Sequence, residues 1–422
     1  MRSPGFLLTI LVIMLLLDFY VFQAVKMVSQ GASPRARMVI YGIYWTISVI
    51  TVLLLLGMTF VHYEQWPRSV RTYLFATLLG LFFAKIIAVV FFLLDDIRRV
   101  VQWASGKLFF RNTEGEGLSG QGTGISRSIF LSWLGLGAGT ALFGTLLYGF
   151  SNKYNYHIRR LKLTYANLPE GFRGLKIVQI SDIHSGSFTD KAAVNKGIDK
   201  VLKERPDLIL FTGDLVNDRA IEMEQYMDVF SRLKAPLGVY STLGNHDYGD
   251  YYYGHNPTGA LAAEKAANLA RLKAIHGELG WRLLLDEHVP LQRNGQQIAL
   301  IGVQNISGMA RFHSYGNMQQ AHAGTDKYPF RILMSHDPSH WDSEVQPRYG
   351  DVDLTLAGHT HGMQFGVEIP GFKWSPVQYV YKEWAGLYET EMQKLYVNRG
   401  YGFIGYPGRV GILPEITVIE LA

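Results

Sequence analysis

Four long apolar runs, at residues 6–25, 39–61, 74–94 and 129–150, constrain this chain more than any other feature. Each is about 20 residues or longer, enough to cross a hydrocarbon core ~30 Å thick at 1.5 Å per residue of helix. Crowded into 150 residues, they leave too little polar sequence to cover a soluble surface. Three further runs after the first also argue against a cleaved signal peptide. A membrane region of four helices is therefore expected over residues 1–150. The 48% hydrophobic content of the 422 residues is an average over this region and an ordinary soluble remainder.

Two charges interrupt the spans, Asp18 and Lys85. They fall at similar depth in spans that cross in the same direction. Intramembrane charges are costly and tend to pair, so an ion pair joining spans one and three is one expectation; separate snorkelling is the other. The short loops on one side carry Lys26, Arg35, Arg37, Arg98, Arg99, Lys107, Arg111 and Arg127, against Arg2, Arg68 and Arg71 on the other. The positive-inside rule puts the first set in the cytoplasm and the soluble part outside, in a bacterial inner membrane. "SRSIFLSWLGLGAG", from Ser126, agrees, because it resembles a twin-arginine export leader with Ser128 in place of the second Arg.

The chain has no cysteine, which excludes disulfides and thiolate metal sites. Its net charge of +5 sits largely in the membrane loops and gives no reason to expect nucleic acid. Residues 102–128 are rich in Gly and Ser and read as a flexible connection, and 151–173 as a juxtamembrane linker. From 174 to 422 short apolar runs ("LKIVQISD", "DLILFTGD", "GVYSTLGNHD", "QIALIGVQN", "FRILMSHDP", "LTLAGHTH", "LYVNRG", "EITVIEL") alternate with helix-like stretches at 190–204 and 259–279. Several runs are apolar throughout, as in strands buried on both faces, and the alternation predicts a layered α/β domain.

The polar residues stand where these runs end. They are Asp182 and His184, Asp214, Asn245 with His246 and Asp247, His336, and finally His359 and His361. Carboxyl ends of strands are where open α/β sheets build sites. His359 and His361, at i and i+2, can aim at one spot, although a polar loop beyond a strand would look the same. Asp182, His184, Asp214, Asn245, His336, His359 and His361 make seven O and N donors. That is too many for one tetrahedral Zn and about right for two ions sharing a ligand. The mixture suits Mn, Fe or Zn, and a bridging Asp would hold two ions at a spacing suited to phosphoryl displacement.

D-x-H, G-D-x-x-N, G-N-H-D, an isolated S-H and G-H-x-H, in this order, resemble the calcineurin-like metallophosphoesterase superfamily over about residues 174–421. "AGLYE", "NRGYG" and "PGRVGILPEITVIEL" are similar to its bacterial membrane-associated branch. The resemblance implies a two-sheet α/β sandwich flanked by helices and two divalent metal ions, Mn favoured. One ion would take Asp182, His184 and His361, the other Asn245, His336 and His359, with Asp214 between them. A bridging hydroxide would attack phosphorus, and His246 would stabilise charge or protonate the leaving group. Asp247 would orient His246 or a ligand, or serve the turn. Where that branch often has G-H-T-H-G-G-Q, this chain has Met363, which leaves the ligands intact and alters the rim.

The expected reaction is hydrolysis of a phosphodiester or pyrophosphate, with a lipid-linked substrate favoured by the membrane anchor. Some relatives in the branch cleave a UDP-diacylglucosamine, a cytoplasmic reaction that conflicts with the outward topology. The alternative is a phosphodiesterase acting on soluble or cell-wall phosphoesters outside the membrane. A dead scaffold would have lost ligands, and none of the seven is lost; the other rival, a transporter, would rest on four spans without repeats and one plausible charge pair. His255, His276, His288, His313, His322 and His340 match no motif position and are expected to be structural or on the surface. Arg311 and His313 are candidates for a second phosphate, Asn398 and Arg399 for the pocket rim, and the aromatic stretch 248–256 for a lid.

Overall fold

A computed structural model describes residues 4–60, 66–109, 127–391 and 393–422, which divide into two compact units, Met1–Tyr148 and Gly149–Ala422. The first unit contains four helices, α1 (Pro4–Val28), α2 (Pro34–Phe60), α3 (Arg68–Phe109) and α4 (Arg127–Gly149). All four are long and apolar enough to cross a membrane. α3 runs well past its apolar stretch. Residues 102–109, expected as the start of the flexible connection, instead continue the helix, and the rest of that connection lies outside the described residues, save the start of α4. No Pro or Gly lies between Leu94 and Gly106, and Asp95–Arg98 (2.7 Å) and Asp96–Arg99 (3.6 Å) are i,i+3 pairs that support the helix there.

Asp18 and Lys85 form the buried ion pair between α1 and α3. α2 joins it, because Ser48 donates to Asp18 Oδ1 (2.7 Å) and Tyr44 to the Asp18 carbonyl (2.8 Å). Two glycines of the leader-like stretch, Gly135 and Gly139, have a packing reason. A Cβ on Gly135 would meet the Ala88 carbonyl at 2.9 Å, and one on Gly139 the Ala84 carbonyl at 2.5 Å. This is the close α3–α4 approach that a small-xxx-small spacing allows.

The second unit holds β1 (His157–Leu163), β2 (Lys176–Ile180), α5 (Lys191–Lys203), β3 (Leu208–Phe211), β4 (Val239–Ser241), β5 (Arg282–Leu283), β6 (Glu287–Arg293), β7 (Gln296–Gly302), β8 (Arg331–Met334), β9 (Leu354–Ala357), β10 (Val367–Ile369), β11 (Phe372–Trp374), β12 (Gly386–Glu389), β13 (Lys394–Val397) and β14 (Glu415–Leu421). Two six-stranded sheets have the orders β1-β14-β2-β3-β4-β5 and β12-β13-β9-β8-β7-β6, and β10-β11 is a separate hairpin. All eight apolar runs are strands. Residues 151–173 are more than a linker: His157–Leu163 pairs with β14 in parallel as an edge strand of the first sheet.

Strand alternation distributes each run between two cores. Ile177, Leu208 and Leu210 of the first sheet meet Ile298, Leu300, Ile332, Met334, Leu354 and Leu356 of the second, which makes the sandwich. The intervening residues Val178, Ile180, Ile209 and Phe211 face Val194, Ile198 and Val201 of α5 and Leu272 and Ile275 of the helix Gly259–Glu278. Ala299, Ile301, Leu333 and Ala357 face Trp341 and Val345 on the other side. The result is helices on both outer faces of a two-sheet sandwich. Gln179 pins the sheets together, donating from β2 to the Ala357 carbonyl of β9 (2.9 Å).

Candidate metal centre

β2, β3 and β4 run parallel in one sheet, and β8 and β9 parallel in the other. Their carboxyl ends converge. Asp182 and His184 follow β2, Asp214 follows β3, Asn245 and His246 follow β4, His336 follows β8, and His359 and His361 follow β9. Two clusters result, Asp182–His184–His361 and Asp214–His336–His359, each with ligand atoms all within 4.8 Å of one another. Asp214 Oδ2 stands between them, 3.1 Å from His336 Nε2 and 3.6 Å from His184 Nε2. Asn245 Oδ1 lies 2.8 Å from His359 Nδ1.

The backbone is bent to achieve this. Asp182, His184, Asp214, His359 and His361 all have positive φ, between 47° and 70°. Each costs on the order of 1–3 kcal/mol for an L-residue, and such strain persists only where surroundings enforce it. Main-chain groups supply part of the enforcement. His359 N–H donates to Asp182 Oδ1 (3.0 Å), and His246 N–H donates to Asp214 Oδ1 (2.9 Å). The glycines before the donors let the chain come this close: a Cβ on Gly358 would fall 2.3 Å from Asp182 Oδ2, and one on Gly244 2.2 Å from Asp214 Oδ1. Met363, at φ 54° and 58% exposed, holds a conformation glycine would take without strain.

The charge states suit cations. Burial opposes ionisation of Asp182 and Asp214, but His361 beside the first and His336 beside the second bring both carboxyls well below the usual range. Burial lowers His184, His359 and His361, keeping the imidazoles neutral. His184 Nδ1 donates to the Val216 carbonyl (3.2 Å) and His336 Nδ1 to the Thr212 carbonyl (2.7 Å), which turns each Nε2 inward. His336 is the exception: burial works against its charge, yet Asp214 and Asp182 push it up to about 10. Its Nε2 is buried without a well-formed hydrogen bond, although Asp214 is near. Ionised carboxylates, neutral imidazoles and a buried nitrogen lacking such a bond are the donor set divalent metals need.

A cavity of about 230 Å³ opens over these donors, walled by His246, Tyr251, Arg311, Phe312, Val377 and Tyr381 among others. His246 donates from Nδ1 to the Asn217 carbonyl (2.7 Å) and stacks on Tyr251, with ring centroids 4.4 Å apart. Asp247 serves the turn. Its oxygens accept from the backbone N–H groups of Asp214, Leu215, Val216 and Gly244 at 2.8–3.3 Å, so it positions the Asp214 loop rather than the His246 ring. Burial and the Asp214 charge push it up to about 7, against those four donors.

Arg311 lines the cavity, while His313 packs on Tyr315 (4.5 Å). Asn398 and Arg399 are buried away from the rim on Thr417 and Glu415. From the aromatic stretch, Tyr251 reaches the cavity and accepts from Asn245 Nδ2 (2.9 Å), whereas Tyr248 is buried against Tyr315. Sequence patterning missed Tyr381, whose hydroxyl is 2.6 Å from His359 Nε2. It lies in no motif. It also missed the Asn217 carbonyl, which no side-chain pattern can reveal. Of the six unmatched histidines, His276 is buried among Phe211 and Trp281, and His322 and His340 bond Asp351 and Glu344.

Comparison with known proteins agrees with this geometry. Residues 1–153 match the family described as "Probable Calcineurin-like phosphoesterase, transmembrane domain", and residues 175–363 match "Calcineurin-like phosphoesterase". A transmembrane protein with metallophosphoesterase domain from Danio rerio is 28% identical over 62% of this chain; the match spans 56% of that protein, little more than half its length. The metallophosphoesterase YkuE of Bacillus subtilis is 30% identical over 60% of this chain and 81% of its own. The UDP-2,3-diacylglucosamine pyrophosphatase LpxG of Chlamydia trachomatis is 29% identical over 61% of this chain and 88% of its own. The chain is a membrane protein of the calcineurin-like metallophosphoesterase family, a family of phosphoric ester hydrolases.

Proposed function

We propose that the chain hydrolyses a phosphodiester or pyrophosphate bond of a lipid-linked substrate, using two divalent metal ions held at the ends of its two sheets. The sharing of Asp214 between two donor clusters carries this reading. Asp182, His184 and His361 would hold one ion, Asn245, His336 and His359 the other, with Asp214 common to both. When bound, the pair supplies an acidified water near neutral pH and neutralises phosphoryl oxygens. His246, fixed by Asn217 and Tyr251, holds a proton at Nε2 and gives it to the leaving oxygen. Arg311, above Phe312 (4.7 Å), offers a charge to a second phosphate. The apolar wall of Phe312, Val377 and Tyr381 favours a substrate with a hydrocarbon portion.

The relative LpxG is named as a pyrophosphatase of a diacylated sugar nucleotide, which supports a lipid-linked pyrophosphate. The eight-to-three bias of basic loop residues supports an extracytoplasmic catalytic domain, and on that side the substrate is a lipid pyrophosphate or diester exposed outside rather than a cytoplasmic nucleotide.

The full-length protein in detergent with Mn²⁺ should cleave bis-p-nitrophenyl phosphate. Asp214→Ala should abolish the activity, and His246→Ala should lower it about 10²–10⁴-fold. Activity that survives Asp214→Ala would sink the metal reading. Equal kcat/KM for water-soluble and micellar diesters would assign the enzyme to soluble phosphoesters instead.

A further inference from the structure

The hairpin β10–β11 is amphipathic in the reverse sense. Cross-strand register puts Val367 opposite Trp374 and Ile369 opposite Phe372 on one face, and Glu368 opposite Lys373 on the other. The charged face is the attached one. Glu368 pairs with Arg159 and Arg399, each at 2.7 Å. Lys373 bonds the Ala385 carbonyl and stands over the Trp384 and Tyr388 rings. The apolar face is the bare one, with Val367 43%, Ile369 58% and Phe372 54% exposed in the full chain. Met363, Tyr379 and Val380, close to the hairpin in sequence, are exposed as well, so 363–380 holds six of the ten exposed large apolar side chains among the described residues of the catalytic unit. Trp374 connects the hairpin to Tyr379 through its indole N–H (3.4 Å). Scattered exposed apolar residues need no explanation; a contiguous group marks an interaction site.

The chain itself indicates what covers this face. Gly149 is the last residue of α4, whose candidate membrane span runs to Asn152. Its carbonyl accepts from Arg409 N–H (2.9 Å), Val410 N–H donates to Gln364 (2.8 Å), and Gly366 N–H donates to Val410 (2.9 Å). Two backbone-bonded steps thus separate the end of the membrane anchor from the first hairpin strand, roughly 10 Å at strand spacing. Interfacial elements lie about 5–10 Å deep in the headgroup and acyl boundary, so the hairpin starts within reach of that layer. We propose that the apolar face of β10–β11, with Met363, Tyr379 and Val380, is seated in the interfacial layer of the bilayer. His361 precedes the hairpin by six positions and Tyr381 follows it, so this seating sets the height of the metal centre above the lipid. The inference goes beyond the substrate reading and holds equally for a water-soluble substrate.

The absence of cysteine makes the test direct. Ile369→Cys and, separately, Phe372→Cys in the full-length protein are labelled with bimane and reconstituted into phosphatidylcholine vesicles. Ile221→Cys, 59% exposed outside the patch, is the control. Doxyl-labelled lipid should quench the labels at 369 and 372 by roughly half and leave the label at 221 unaffected, as insertion into the interface requires. No quenching at either hairpin position overturns the proposal. Hairpin labels that are insensitive to doxyl lipid but self-quench as the protein-to-lipid ratio rises assign the face to a second copy of the chain, and also overturn it.

Discussion

His276 offers the clearest quantitative test of the packing. It is fully buried beside Phe211 and Trp281, neither ring nitrogen has a hydrogen-bond partner, and burial alone pushes its pKa down to about 3. The unfolded chain titrates near the ordinary value of about 6.5. Because the folded value is depressed, stability is complete above about pH 6.5 and is lost as pH falls toward 3, where the unfolded state binds the proton first. Between pH 7 and 5 the loss from this one group is on the order of 2 kcal/mol, or roughly 4–8 °C in Tm for a domain of this size. His276→Leu removes both the titration and two unsatisfied nitrogens. Thermal unfolding of the full-length protein in detergent should therefore show the variant losing about 4–8 °C less than the parent over that range. Parallel pH profiles for the two proteins would refute the reasoning, because a His276 with polar partners or water access would not be penalised.

Two more outcomes follow from the same kind of contact. Asp18→Asn and Lys85→Met should each destabilise the detergent-solubilised protein by about 3–5 kcal/mol, since each strands a buried charge or its hydrogen-bond partners, and the double variant should lose less than the sum. Additive single effects, or none, would remove the pair from the account. Gly358→Ala places a methyl 2.3 Å from Asp182 Oδ2 and 2.0 Å from Ser181 Oγ; it should cost about 1–3 kcal/mol and most of the bis-p-nitrophenyl phosphate turnover, and unchanged turnover would mean that the loop does not approach Asp182 so closely.

Strands were legible where burial on both sides forces an unbroken apolar run: β2, β3, β8 and β9 read directly from Ile, Leu, Val and Met. β1 did not, because an edge strand such as His157–Leu163 carries Arg159, Arg160 and Lys162 and looks like a basic linker. The candidate donors were legible because each follows a strand in a short motif. Their supports were not. Asp247 lies beside His246 in sequence, yet its carboxylate is turned to backbone N–H groups 31–33 positions away. Tyr381 comes to the cavity from a loop with no periodicity to mark it. The long polar end of α3 was hidden by its Gly-rich continuation, since composition averages across a helix end that local i,i+3 pairs decide.

Each donor cluster draws on both sheets. Asp182 and His184 come from the first sheet and His361 from the second; Asp214 comes from the first, His336 and His359 from the second. Asp182 and His359 are 177 positions apart. Neither sheet can assemble a binding site while it folds alone, and closing such distant contacts is the slow part of folding. Metal capture would then come last, after the sandwich has closed over Gln179. A cation that bound only the finished arrangement would add to its stability by mass action, on top of the apolar core that already joins the two sheets.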